Sequence, residues 1–217
     1  MNGRYADFVR SQTAPTRTPL VPELTLYLAT EVTPLWEATE AEMSENGLPP
    51  PFWAFAWPGG QALARLILDR PECVRGKPVL DFAAGCGVGA LAAAKSGATT
   101  VTASEIDPFA AAAIRLNAEA NGLTVDVTLD DVLAAPPPAS GVILAGDVCY
   151  ERPMAERVFA WLTQAAKKGT EVLLADPGRA YLPKSGLAEL ARYEVPTLLD
   201  VESRASMNPV VYRLALP

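Results

Sequence analysis

Short apolar runs recur from Val79 onward, and most of them stop at a glycine or an acid. Val79–Phe82, Thr99–Ser104, Val125–Leu129, Gly141–Gly146 and Glu171–Ala175 are read as strands. The fourth is apolar throughout, as a parallel strand covered on both faces should be. Between them the apolar positions shift to helical spacing. Leu63, Leu66 and Ile67 mark one face of a helix over Gln61–Asp69, with Pro58 suited to its first turn. An alanine-rich helix follows Gly89 and stops near Gly97. Asp107-Pro108 supplies an N-cap and a proline at the first position of a helix reaching Asn121, where Gly122 is a natural left-handed C-cap. A further helix is expected over Glu151–Ala166. Strands alternating with helices give an open parallel α/β sheet.

The flanks are less regular. A helix is expected over residues 3–11, then a turn region set by Pro15, Pro19 and Pro22, then a strand or extended arm over Glu23–Leu28. Pro34–Met43 reads as helical, and Pro49-Pro50-Pro51 as a stiff linker. At the other end the pattern predicts a short helix over Gly186–Leu190, a short strand over Arg192–Val195 and a last strand over Val210–Leu216. There is no internal repeat. One domain is expected, with residues 1–57 as an extension packed on a core of residues 58–217.

In such a sheet a ligand lies at the carboxyl ends of the strands, so those ends hold the candidate chemistry. The first runs into Asp81-Phe82-Ala83-Ala84-Gly85-Cys86-Gly87-Val88-Gly89. Alternate glycines let a ligand approach the backbone, and the helix that follows offers unpaired N–H groups to a carboxylate or phosphate. Gly85-x-Gly87-x-x-Ala90 also fits a dinucleotide fingerprint, so a nicotinamide cofactor stays open at this point. Glu105 stands 20 residues beyond Gly85, where an acid accepts from a ribose diol. Asp81 can support the glycine turn or reach a ligand ammonium, and Asp130 or Asp131 can accept from an exocyclic amine. Asp147 and Asp176 end the next strands. Acids without a cluster of Arg or Lys suit hydroxyls, an amine and a cationic centre better than phosphates. Phe52, Trp53, Phe55 and Trp57 are each readily explained by packing, yet four aromatics in six residues also make a pocket wall.

Composition narrows the chemistry further. The 217 residues, half of them hydrophobic, carry a formal charge of −7, which argues against a nucleic-acid partner. There is no His, so proton transfer must use carboxylates, Lys, Tyr, Cys or water. Cys73, Cys86 and Cys149 form no CxxC pair, so neither a zinc site nor a disulfide framework is expected. No apolar run is long enough to span a membrane. Arg4, Arg10 and Arg17 opposed by Asp7 suggest an amphipathic helix of the domain, with a mitochondrial presequence as the alternative.

The strand-end motifs, in this order, resemble the seven-stranded class I S-adenosylmethionine-dependent methyltransferases. Asp147-Val148-Cys149-Tyr150 is similar to the D-x-x-Y element of a protein-lysine methyltransferase group. Pro51–Gly60, Asp81–Gly87, Glu105-Ile106-Asp107-Pro108 and Gly146–Glu151 together resemble the electron transfer flavoprotein β-subunit lysine methyltransferase family, from about Pro19 onward. The resemblance implies a Rossmann-like open sheet of seven strands, mostly parallel with an antiparallel last strand and helices on both faces. It implies S-adenosylmethionine as cofactor, leaving S-adenosylhomocysteine as product. The cofactor would be held by Trp57, Asp81, Ala84, Gly85, Cys86, Gly87, Glu105, Ile106, Asp130, Asp131 and Gly146. Asp147 would orient the substrate ammonium, with Tyr150 beside it, and Phe52 and Trp53 would face the substrate. No metal is expected. Implied protein substrates are the flavoprotein β subunit, up to trimethyl-lysine, and a ribosomal stalk protein of the L7/L12 type. A bacterial cytoplasmic setting is expected, with the mitochondrial matrix as alternative. A small-molecule methyltransferase, a nicotinamide oxidoreductase and a cofactor-binding module without turnover are the competing readings. A nucleic-acid amino-methyltransferase would show Pro-Pro-aromatic where Val148-Cys149 stands.

Overall fold

A computed structural model describes residues 3–29, 50–139, 141–197 and 205–215. Helix α1 (Gly3–Gln12) leads into a small antiparallel pair, β1 (Ala14–Thr16) and β2 (Leu26–Leu28). The helix expected over Pro34–Met43 lies outside the described residues. A single 3₁₀ turn over Phe52–Ala54 precedes α2 (Pro58–Asp69). The core then runs β3 (Pro78–Phe82), α3 (Val88–Lys95), β4 (Thr100–Ser104), α4 (Pro108–Asn121), β5 (Asp126–Thr128) and β6 (Val142–Gly146). It continues with α5 (Arg152–Lys167), β7 (Glu171–Asp176), β8 (Leu187–Arg192), β9 (Val195–Pro196), β10 (Ser206–Met207) and β11 (Val210–Leu214).

Seven of these strands form one sheet in the order β5-β4-β3-β6-β7-β11-β8. Pairings from β5 across to β7 are parallel, and β11 runs antiparallel to both β7 and β8. The chain leaves β3 toward β4 and β5, then returns to place β6 on the opposite side of β3. That reversal opens a crevice at the carboxyl ends of the central strands. Strand alternation builds a core on each face. Val142, Leu144, Leu173 and Ala175 pack with α2 and α3, whereas Ile143, Ala145, Val172 and Leu174 pack with Val158 and Leu162 of α5.

The caps match their sequence signals. Asp107 accepts from the Phe109 N–H at 2.8 Å, Pro108 opens α4, and Gly122 closes it at φ 63°. The expected helix over Gly186–Leu190 is wrong, since these residues enter edge strand β8 after a turn at Gly186. Leu187 and Leu190 stand three apart, which mimics a helical face. In the strand they point to opposite sides of the sheet, and the register with β11 shifts there so that Leu190 has no opposite residue.

Helix α4 also carries the N-terminal arm. Asn121 Oδ1 accepts from the Thr25 N–H at 2.9 Å and its Nδ2 donates to Thr25 O at 2.6 Å. Buried Asn117 accepts from the Tyr27 N–H at 2.7 Å and donates to Cys86 O, in the glycine loop, at 2.8 Å. A third apolar cluster joins Val9 of α1 to Trp53, Phe55, Phe109 and Leu116.

Candidate functional site

The glycine loop leaves β3 through left-handed backbone at Ala83 (φ 51°), Gly85 (56°) and Gly87 (80°). Two acids brace it. Asp81 Oδ2 accepts from the Ala90 N–H at 2.7 Å, in the first turn of α3, where a Cβ on Gly89 would stand 2.9 Å from the same oxygen. Glu105 Oε1 accepts from the Gly85 N–H at 2.6 Å. Burial pushes Asp81 up to about 7 against the pull of its Ala90 hydrogen bond, with Glu105 adding to the rise. Burial likewise lifts Glu105 to about 7, opposed by the Gly85 hydrogen bond and reinforced by Asp107. Asp81 therefore does what its position in the sequence suggested, supporting the turn.

Beyond Glu105, Ile106 is 71 % exposed, and Leu129 is exposed at the end of neighbouring β5. Asp130 Oδ2 accepts from the Thr128 hydroxyl at 2.9 Å. Asp131 caps a short 3₁₀ turn through the Leu133 N–H at 3.1 Å and pairs with Arg157 at 3.2 Å. Asp131 is thus committed to a turn, and its ion pair is exposed enough to contribute little.

The second half of the site forms where α2 crosses the ends of β6 and β7. A Cβ on Gly59 would lie 2.6 Å from both Ala175 O and Asp147 Oδ2, and one on Gly146 would lie 2.9 Å from Gly60 N. Only glycines permit this crossing. It lets the Gly60 N–H donate to Asp147 Oδ2 at 3.0 Å, at the positive end of the helix dipole. Asp147 itself is left-handed at φ 57°, a conformation that costs energy in a non-glycine residue and clusters at functional sites. Its Oδ1 faces the Arg179 guanidinium at 3.5 Å. Arg179 is presented by the Asp176-Pro177-Gly178 turn, in which buried Asp176 Oδ1 accepts from the N–H groups of Gly178 (2.7 Å) and Arg179 (2.6 Å).

Aromatic rings rim the mouth. Trp57 is fixed by donation from Nε1 to Phe52 O at 2.8 Å, and Phe52 lies 5.7 Å from the Trp57 ring and 5.9 Å from Tyr150. Burial raises the Tyr150 phenol, with Glu151 and Glu105 adding to the effect, so it stays protonated at neutral pH. Phe52 and Tyr150 are exposed, as a rim requires. Trp53 is a correction. It is 2 % exposed and stacks on Phe109 at 6.1 Å and 16°, so it serves the core rather than a substrate entrance. Cys86, inside the loop, is buried and its thiol is pushed up to about 12, which suppresses its reactivity.

Trp57, Asp81, Ala84, Gly85, Cys86, Gly146 and Asp147 line one cleft between the two halves. Gly87 closes the loop onto α4, since a Cβ there would meet Ile114 at 3.0 Å. Buried acids at the loop suit a ligand that donates from an amine and hydroxyls, and among the described residues no metal cluster forms. Arg179, Gly59 and Gly60 are the residues that sequence reasoning missed as site members. Their signals were the Pro-Gly-Gly run and the Asp-Pro-Gly-Arg turn at a strand end.

Comparison with known proteins bears on this arrangement. The family model described as Ribosomal protein L11 methyltransferase (PrmA) matches residues 63–145. The electron transfer flavoprotein beta subunit lysine methyltransferase of Danio rerio is 37% identical over 204 residues, covering 89% of this chain and 76% of that protein. The protein of the same description from Xenopus laevis is 40% identical over 175 residues, covering 80% and 70%. Among solved structures, the magnesium protoporphyrin IX methyltransferase of Synechocystis PCC 6803 with bound S-adenosylhomocysteine has a TM-score of 0.50 at 16% identity, covering 72% of this chain and 81% of that one. The N-methyltransferase of Bradyrhizobium japonicum WM9 also has a TM-score of 0.50, at 13% identity, covering 72% and 94%. At these identities the structures bear on the fold alone.

Proposed function

The chain belongs to the electron transfer flavoprotein beta subunit lysine methyltransferase family, and from that premise we propose that its cleft methylates lysine side chains of such a β subunit. It is an S-adenosylmethionine-dependent protein-lysine methyltransferase of the class I fold. The observation that carries the site assignment is Asp147. A carboxylate held at a helix N-terminus faces an aromatic rim and shares a cleft with an acid-braced glycine loop.

When bound, S-adenosylmethionine supplies an electrophilic methyl on a sulfonium. Asp81 and Glu105 hold the loop and accept from the cofactor's amine and hydroxyls, with Ile106 and Asp130 on the flank beyond Glu105. Asp147 orients the acceptor ammonium toward the cleft. Neutralising a free lysine at pH 7 costs about 4–5 kcal/mol. The Gly60 N–H already compensates Asp147, so the carboxylate retains the lysine proton less strongly than a bare anion would. The protonated Tyr150 phenol is a donor and a cation-facing ring rather than a base. Proximity and alignment supply the rest.

The two raised acids give a pH dependence with a defined sign. Their folded values near 7 exceed the unfolded values near 4, so their contribution to stability is complete below about pH 4 and is lost as pH rises through 7. A ligand that donates to them prefers the ionised forms. S-adenosylhomocysteine should therefore bind more tightly at pH 8 than at pH 6, by about tenfold for each of the two acids that it requires ionised. Titration calorimetry at the two pH values, in buffers of different ionisation enthalpy, checks this through proton release. A flat profile removes the two acids from the binding step.

Incubating the protein with labelled cofactor and cell lysate tests the function itself. A labelled flavoprotein β subunit, with one to three methyl groups on a lysine by mass spectrometry, is the expected result. A labelled stalk protein instead would move the substrate. No labelled protein, with S-adenosylhomocysteine still bound, would point to a small-molecule acceptor.

A further inference from the structure

A carboxylate and an indole of this cleft, both suited to an alkyl cation, are engaged by one side chain. The Arg179 guanidinium lies 3.5 Å from Asp147 Oδ1 and 5.9 Å over the Trp57 ring. We propose that Arg179 is a stand-in for the acceptor cation, and that a substrate lysine takes its seat between Asp147 and Trp57 by displacing it. This rests on the reading of the cleft as a lysine acceptor site and names how that site selects its substrate.

The geometry favours exchange. A well-made charge-assisted bond from a cationic nitrogen to a carboxylate is about 2.7–2.9 Å and is often two-pronged with arginine. The contact of Arg179 with Asp147 is longer than that. The other carboxylate oxygen is held more closely, by Gly60 N–H at 3.0 Å, so Asp147 does not depend on Arg179 for its place. The compact lysine ammonium, with three rotatable donors, can approach Oδ1 more nearly than a guanidinium seated over an indole.

The residue type fits the role as well. Arg179's backbone is pinned by Asp176, so its anchor stays in place when the side chain is displaced. That side chain is 21% exposed, at the mouth rather than sealed behind it, and Asp147's is 10% exposed. A guanidinium stays charged at any working pH, so it compensates this nearly buried carboxylate throughout. It also offers no free amine to a methyl donor, whereas a lysine in the same seat would.

Occupancy of the seat taxes every cation that seeks it. If Arg179 holds the seat about nine-tenths of the time, its removal tightens an alkylammonium ligand about tenfold. The test uses n-butylammonium chloride as probe and titration calorimetry on the protein without cofactor. Arg179→Met, which keeps an unbranched stem and drops the charge, should bind the probe about tenfold more tightly than the native chain. Arg179→Gln repeats the measurement if the first variant melts early. A lowered KM for the protein substrate would accompany the tighter probe. Unchanged or weaker probe binding in both variants would overturn the exchange and leave Arg179 a positioning residue for Asp147. If lysate proteins are methylated while the probe is not tightened, the exchange fails and the lysine-methyltransferase reading stands. If the probe tightens but no protein is methylated, the cation seat stands and the protein substrate does not.

Discussion

Asp147→Asn lowers kcat/KM for methyl transfer by about 10²–10³-fold, the scale of losing one preorganised electrostatic group at a reacting centre. The fold survives the change. Asparagine tolerates the left-handed φ of 57° better than most residues, and its amide oxygen can keep accepting the Gly60 N–H. What disappears is the negative charge at Oδ1, the atom that faces cations across the cleft. S-adenosylhomocysteine binding stays within a few-fold of native, because Asp81 and Glu105 brace the loop independently. Single-turnover transfer beside calorimetric binding separates the two effects. Native turnover in this variant would remove Asp147 from the acceptor side.

Trp53→Ala destabilises the protein by about 3–5 kcal/mol, as for a large aromatic deleted from a packed core. Trp53 is buried in a cluster with Phe55, Phe109 and Leu116, and its ring stacks on Phe109 while Phe8 meets it edge-on at 6.4 Å. For a chain of this size the melting temperature falls by roughly 10 °C. The rim suffers with it, because Phe52 shares the turn with Trp53 and its carbonyl holds Trp57. Thermal unfolding followed by circular dichroism reads the loss directly. A shift of only a degree or two would mean that the cluster repacks around the hole.

These two residues also show what the sequence could and could not say. Asp147 was legible because an acid at the end of an apolar strand marks the ligand edge of an open sheet. Its partners were not. The Gly60 N–H comes from 87 positions away and Arg179 from 32, and no local pattern ties them together. Caps such as Asp107 and Gly122 were readable because all their bonds lie within one or two turns. Trp53 was misplaced because it stands beside exposed Phe52 on one 3₁₀ turn, where neighbouring side chains diverge and only the packing partner decides. β8 was misread for a related reason. A three-residue leucine spacing is ambiguous until β11 supplies the ladder.

The asparagine pair on α4 has a consequence for recombining relatives. Asn121 and Asn117 reach the arm through backbone atoms of Thr25 and Tyr27, and Asn117 reaches the loop through the backbone carbonyl of Cys86. None of those bonds reads a side chain on the receiving end. A chimera can therefore exchange residues 3–29 for a foreign arm of the same backbone course, provided the two amides travel with α4 and the new arm keeps apolar side chains at buried Val9, Val21, Leu24 and Leu26. Crossover points placed between 29 and 107 keep that clamp whole, while a crossover between 117 and 121 splits it. Breeding new acceptor preferences onto this scaffold is best begun from the first class of junction.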